Sequence, residues 1–209
     1  MLRPQLADGM VETGPSALQR LARLISNVLS PPVMAAPVLA MGVRLSDVPG
    51  TWRYAVMYIA VAVVTPMFHL IWLMRTGRVS DYHLADRRDR THPFLVSIAC
   101  NLIALGLVVW RDAPPIFAAV VRAALLQVVI LFLITLVWQV SIHSATIASM
   151  ATMAVVFFGA SAMVVLLLIP LVGWARVYLG RHTISQVVVG AAIGAATLLY
   201  AMAPFLPHM

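Results

Sequence analysis

Long apolar runs separated by short polar breaks dominate the chain. A helix needs about 20 apolar residues to cross the hydrocarbon core of a bilayer. Stretches near 52–74, 93–110, 116–138 and 183–205 meet that measure, and each is a predicted span. A shorter apolar stretch, 31–45, joins the turns before it to give a first span near 22–44. Residues 16–29 read as an amphipathic helix with Leu18, Leu21, Leu24, Ile25 and Val28 on one face and Gln19, Arg20 and Arg23 elsewhere; it lies in the interface or leads into the first span. The run 145–173 is too long for one crossing and is broken by Gly159-Ala160-Ser161-Ala162, which predicts a membrane hairpin or re-entrant pair of helices. Pro66 is expected to kink the second span, and Trp52, Tyr54 and Trp72 sit near its ends, where aromatic belts form. The expected fold is therefore all-α: a polytopic transmembrane helix bundle of six or seven spans, in one domain over 16–209 after a polar tail at 1–15.

The order of spans and breaks has a geometric consequence. Polar breaks at 75–92, 139–144 and 173–182 are separated by pairs of crossings, so all of them fall on one membrane face. Remote loops meeting on one face are what a composite site requires.

Composition supports the membrane reading and adds a chemical bias. The 209 residues are 62% hydrophobic and 10% charged, with a mean hydropathy of +0.97, well outside the range of soluble domains. The net charge of +7 comes wholly from 14 arginines, since there is no lysine. Arginine is the better bidentate partner for phosphate, and GC-rich coding would enrich it as well. The single cysteine, Cys100, lies in an apolar run, which excludes an internal disulfide and argues for a packing role. Residues 1–15 do not show the pattern of a cleavable signal.

The converging breaks supply Arg87, Arg88, Arg90 and His92 from the first, Ser141 and His143 from the second, and Arg176, Arg181 and His182 from the third. Guanidiniums bind phosphate oxygens and stabilise the charge of a phosphoryl-transfer transition state, while one imidazole attacks phosphorus and another protonates the departing oxygen. No metal or other cofactor is needed in that scheme. Nearby carboxylates are limited to Asp81, Asp86 and Asp89, which disfavours an aspartate-rich magnesium site. His83, His92 and His143 form a weaker metal candidate, and His69, inside the second span, reads as a packing residue.

Ala175-Arg176, five residues, His182, three residues and Gln186 resembles the third signature of the type 2 phosphatidic acid phosphatase (PAP2) superfamily, normally Ser-Arg, five residues, His, three residues and Asp. Ser141-Ile142-His143 resembles the second signature, usually Pro-Ser-Gly-His, and Asp86-Arg87-Arg88-Asp89-Arg90-Thr91-His92-Pro93 is a distorted counterpart of the first. The resemblance covers about 75–200 and implies a PAP2-like core there. It also implies roles: His182 as a nucleophile forming a phosphohistidine, His143 as the acid for the leaving group, Arg176 holding phosphoryl oxygens, and Arg87, Arg88, Arg90 and Ser141 binding the phosphate. Gln186 takes the place of the aspartate that orients the nucleophile. It can reach the His182 imidazole from four residues along a helix, but it brings no negative charge.

The resulting expectation is a metal-independent membrane phosphatase acting on a lipid phosphate or diphosphate, with the bilayer and the lipid substrate as partners and no nucleic acid. The competing reading keeps the scaffold without the chemistry: a catalytically weak or inactive PAP2-like protein that binds or translocates anionic lipids. A small channel or transporter would show polar mid-membrane positions or an inverted repeat, and neither is clear. The expected location is a bacterial cell membrane, multi-pass, and the arginine excess on the site's face points to the cytoplasmic side by the positive-inside rule.

Overall fold

The computed structural model describes residues 14–78 and 87–208, and every regular element among them is helical. Asp81, His83 and Asp86 lie outside the described residues, as do the side chains of Arg87, Arg88 and Asp89. Among the described residues five helices are long and apolar enough to cross a membrane, or six when one bent pair is taken as a broken span.

That bent pair is the predicted first span. Helix α1 (Ala17–Val28) meets α2 (Pro31–Ser46) at 45°, in place of the single helix expected over 22–44. Pro31 and Pro32 cannot donate to carbonyls one turn back, so α1 ends before them and they open α2. A capping box starts α1: Ser16 Oγ accepts from the Gln19 N–H and the Gln19 side chain accepts from the Ser16 N–H. Ala22 and Ser26 are buried on α1, whereas Leu18, Leu21, Leu24 and Val28 are exposed, so in a membrane protein that face meets lipid.

The second span, Trp52–Arg75, contains α3 (Trp52–Tyr58) and α4 (Thr65–Arg75) joined by a π-helical stretch, Ile59–Val64. Pro66 cannot donate to the carbonyl one turn back, and the turn before it is widened: the Thr65 N–H reaches Ala60 O, and the Thr65 hydroxyl donates to the same oxygen at 3.0 Å. Helix α5 (Arg87–Trp110) begins six residues before the expected third span, which puts Arg90 on a helix rather than in a loop. A turn with Asp112 at φ 51° leads into α6 (Pro115–Thr135).

The segment Ile142–Tyr178 has 37 residues. As one straight helix it would extend about 55 Å, nearly twice the thickness of a hydrocarbon core. It instead folds back: α7 (Ile142–Phe158) stops at Gly159, whose φ of 66° favours glycine, and a 3₁₀ stretch (Gly159–Leu167) leads into α8 (Leu168–Tyr178). Ile147 and Met150 of α7 pack in one cluster with Val172 of α8, as an antiparallel hairpin demands. The predicted hairpin and its break are both present. Helix α9 (Ile184–Met202) follows and ends in a short 3₁₀ turn.

Helix α9 packs on α7 with almost no side chain between them. A methyl group placed on Gly190 would lie 2.5 Å from the carbonyl oxygen of Ser141, and one on Gly194 would overlap the Ala145 carbonyl. Without a hydrophobic drive between helices in lipid, such close backbone approach and interhelical hydrogen bonds hold the bundle together. Ser149 of α7 donates to Gly194 O at 2.7 Å and also bonds Gln127 of α6, while Tyr58 of α3 donates to Asn101 of α5 at 2.7 Å.

Two glycine substitutions should therefore act in opposite directions. Gly106 on α5 has nothing within 4 Å of an added methyl, so Gly106→Ala should stabilise by up to about 1 kcal/mol through helix propensity. Gly194→Ala must push α9 off α7 and should cost about 1–3 kcal/mol. Thermal unfolding of the purified variants in detergent reads both, and equal shifts would contradict this packing.

Candidate active site

The Arg176–His182 spacing is produced by the way α8 ends. Gly180 adopts φ 65°, its N–H donates to Val177 O at 2.9 Å, and the Arg181 N–H donates to Arg176 O at 3.0 Å. This double closure is a Schellman end, which stops the helix and satisfies its last carbonyls. Almost at once Thr183 starts α9: its hydroxyl accepts from the Gln186 N–H at 3.4 Å, and Gln186 Oε1 accepts from the Thr183 N–H at 3.1 Å. His182 is left between a helix stop and a helix start, both pinned by backbone hydrogen bonds. The main-chain N–H of Ser141 donates to Gln186 O at 3.1 Å, which ties the start of α7 to this corner.

Gln186 also fixes the protonation pattern of the imidazole. Its Oε1 lies 3.2 Å from His182 Nδ1 and accepts from the Thr183 N–H as well. A backbone N–H can only donate, so the amide must present oxygen there. That oxygen can only accept, so Nδ1 carries the proton and Nε2 keeps its lone pair. Flipping the amide would set N–H against N–H and break the capping box.

Burial is the first cause of a lowered His182 pKa, brought down to about 4, and the positive charge of Arg176 is the next. The Gln186 hydrogen bond opposes the shift, whereas the Arg90 and Arg181 charges add to it. His182 is therefore neutral at any ordinary pH.

One cavity of about 350 Å³ joins the remaining groups. Arg90 from α5, His143 from α7, Arg176 from α8 and His182 line it together. Arg90, Arg176 and His182 are 5%, 3% and 8% exposed, so two guanidiniums and an imidazole are buried in one compartment. The rest of the wall is mainly apolar, including Pro31 and Ala35 of α2, Met67 of α4 and Phe94 of α5. This is the size and make-up of a pocket for one small molecule with a charged end.

Not every expected residue joins them. Ser141 is fully buried, but its hydroxyl accepts from the Ser144 N–H and the Ser144 hydroxyl, so it caps α7 and does not line the cavity. His92 stacks on His69, with ring nitrogens 3.0 Å apart. Among the described residues no group of three His, Cys, Asp or Glu side chains has the arrangement a metal ion needs.

Some contributors escape a reading by motif and hydropathy although the chain carries signals for them. Thr183-x-x-Gln186 is a capping-box pattern, and a capping box dictates which way the Gln186 amide points. Gly180 is the glycine expected just past a helix end. Ser26, whose hydroxyl accepts from Arg176 Nη1 at 2.9 Å, has no local signal, because 150 residues separate the partners.

The PAP2 superfamily matches residues 54–205, a segment that contains the four cavity residues Arg90, His143, Arg176 and His182 and leaves out α1 and α2. No curated protein and no solved structure matches the chain. Members of the superfamily are in general phosphatases that act on phosphate esters. Because the match spans well over half of the chain and the long apolar helices agree with it, this integral membrane protein belongs to the PAP2 superfamily.

Proposed function

We propose that the protein is a phosphatase for a lipid phosphate or diphosphate and works through a phosphohistidine on His182. The observation that carries this reading is a single compartment lined by two arginines and two histidines together with mainly apolar side chains. The phosphate meets the arginines and histidines, and the lipid tail the apolar side chains. A volume of about 350 Å³ suits one tail better than two long ones.

In this reading the neutral Nε2 of His182 attacks phosphorus. A P–N bond forms as the P–O bond to the lipid-borne leaving group breaks, an alcohol oxygen for a monophosphate or the inner phosphate for a diphosphate, and His143 gives its proton to the departing oxygen. Arg176 and Arg90 hold the equatorial oxygens, where charge grows in the transition state. Water then attacks the phosphohistidine with His143 as base, releasing phosphate and restoring His182. Ser141 acts through its backbone link to Gln186 rather than by touching the phosphate.

Gln186 separates two contributions that an aspartate normally combines. In a serine-protease triad, replacing the orienting Asp by Asn lowers turnover about 10⁴-fold, largely through the wrong tautomer. Here the Thr183 N–H enforces the productive tautomer, and only the negative charge facing the developing imidazolium is missing. The proposed enzyme is slower than an aspartate-bearing relative, but not by the full factor.

Phosphate release from phosphatidate, lysophosphatidate and isoprenyl diphosphate in detergent tests the reading. Native protein should turn over at least one of them, and His182→Ala should lower the rate by about 10³-fold or more. Release that survives His182→Ala would sink the phosphohistidine.

The pH profile provides a separate check. A nucleophile whose pKa lies near 4 stays active as pH falls through 6 and 5 and loses activity only as it protonates near 4. Gln186→Glu keeps the reach and adds a charge that favours the imidazolium, so the acid limb of kcat/KM should move up by about a unit or more. An unmoved limb would mean that Gln186 does not control the imidazole.

A further inference from the structure

The arginine proposed to hold the phosphate is gripped by an element outside the family segment. The matched region is 54–205, whereas Ser26 sits on α1 and accepts a hydrogen bond from Arg176 Nη1 at 2.9 Å. Both ends of that bond are buried, Ser26 at 1% and Arg176 at 3% exposure. A guanidinium on a flexible stem needs fixed partners if its fork is to meet an oxyanion in one geometry. The backbone of Arg176 is set by the Schellman end of α8, which leaves the far end of the side chain to be placed by what surrounds it.

Helix α1 is built to deliver such a contact. It starts at its own capping box and buries only Ala22 and Ser26, and Ile25 and Leu29 join the apolar cluster around Val172 of α8. A serine inside a helix is a poor helix former that usually bonds back to its own backbone. At 26 the hydroxyl meets Arg176 across 150 residues of sequence.

We infer that Ser26 is a positioning residue for Arg176: by accepting from Nη1 it holds the guanidinium in the orientation that binds a phosphoryl group, so α1 is part of the active-site machinery. This rests on the phosphate-binding role proposed for Arg176, but it does not require that hydrolysis follow. Removing the acceptor leaves Arg176 in place with its fork less tightly held, which weakens phosphate binding without unfolding a helix.

The test measures binding of inorganic phosphate to the full-length purified protein by titration calorimetry, alongside thermal stability. Ser26→Ala should raise the phosphate Kd about tenfold, the size of one charge-assisted hydrogen bond. Its melting temperature should stay close to native. Ser26→Thr, which keeps the hydroxyl, should stay within about threefold of native, a rescue that a purely packing role would not give. In an Arg176→Lys background, Ser26→Ala should have less than about a third of its effect, since the partner that it orients is gone.

Unchanged phosphate binding in Ser26→Ala overturns the inference, as does an equal loss whether Arg176 is intact or replaced through Arg176→Lys. Absence of phosphate binding by the native protein overturns it too. Binding that follows the expected pattern with no hydrolysis of any lipid leaves Ser26 as the positioning residue and removes the phosphatase reading instead.

Discussion

Gly190 and Gly194 allow the backbone of α9 to run against the carbonyls of Ser141 and Ala145, and the geometry of the cavity follows from that contact. With the two helices so close, the Ser141 N–H reaches the Gln186 carbonyl, which joins the helix start carrying His143 to the helix start beside His182. Both lie at helix N-termini, where N–H groups have no partner within their own helix. The fold uses this corner to lock two helix ends together. Side chains of ordinary bulk on α9 would separate the corner and spread the residues that line it.

Much of this is legible in the chain because bilayer physics leaves few options. Run lengths place the spans from 52 to 74 and from 116 to 138 to within a few residues, and an overlong segment with small residues at 159–162 marks the hairpin. The parity of crossings then brings remote breaks to one face, and His143, Arg176 and His182 do share a cavity. What hydropathy does not reveal depends on backbone chemistry. Pro31-Pro32 divides the first span, Pro66 produces a π-helical stretch in place of a simple kink, and α5 starts early enough to put Arg90 on a helix. Ser141 matches a motif that would put it at the phosphate, yet a serine preceding a helix is also the preferred cap, and capping is the use the fold makes of it.

Gln186, which the resemblance leads one to expect as an aspartate, reads differently once the amide is seen in place. In sequence it is a residue that brings no charge. In the structure it is an acceptor shared by an imidazole and a helix N-terminus, and the second partner prevents the first from choosing the wrong tautomer. An amide also leaves the basicity of His182 to its surroundings, and burial and the nearby guanidiniums keep it low.

The α7–α9 contact also bears on how the protein is made. Helix α9 comes after every other described span, and N-terminal segments of a chain are synthesised and begin folding first. Until α9 inserts, α7 has no partner along its glycine-facing side and the Ser141 N–H has no carbonyl to meet. A chain synthesised only as far as α8 thus lacks both the Gln186 carbonyl that the Ser141 N–H meets and the glycine-bearing face that α7 packs on, so the corner beside the cavity forms only once α9 is in place.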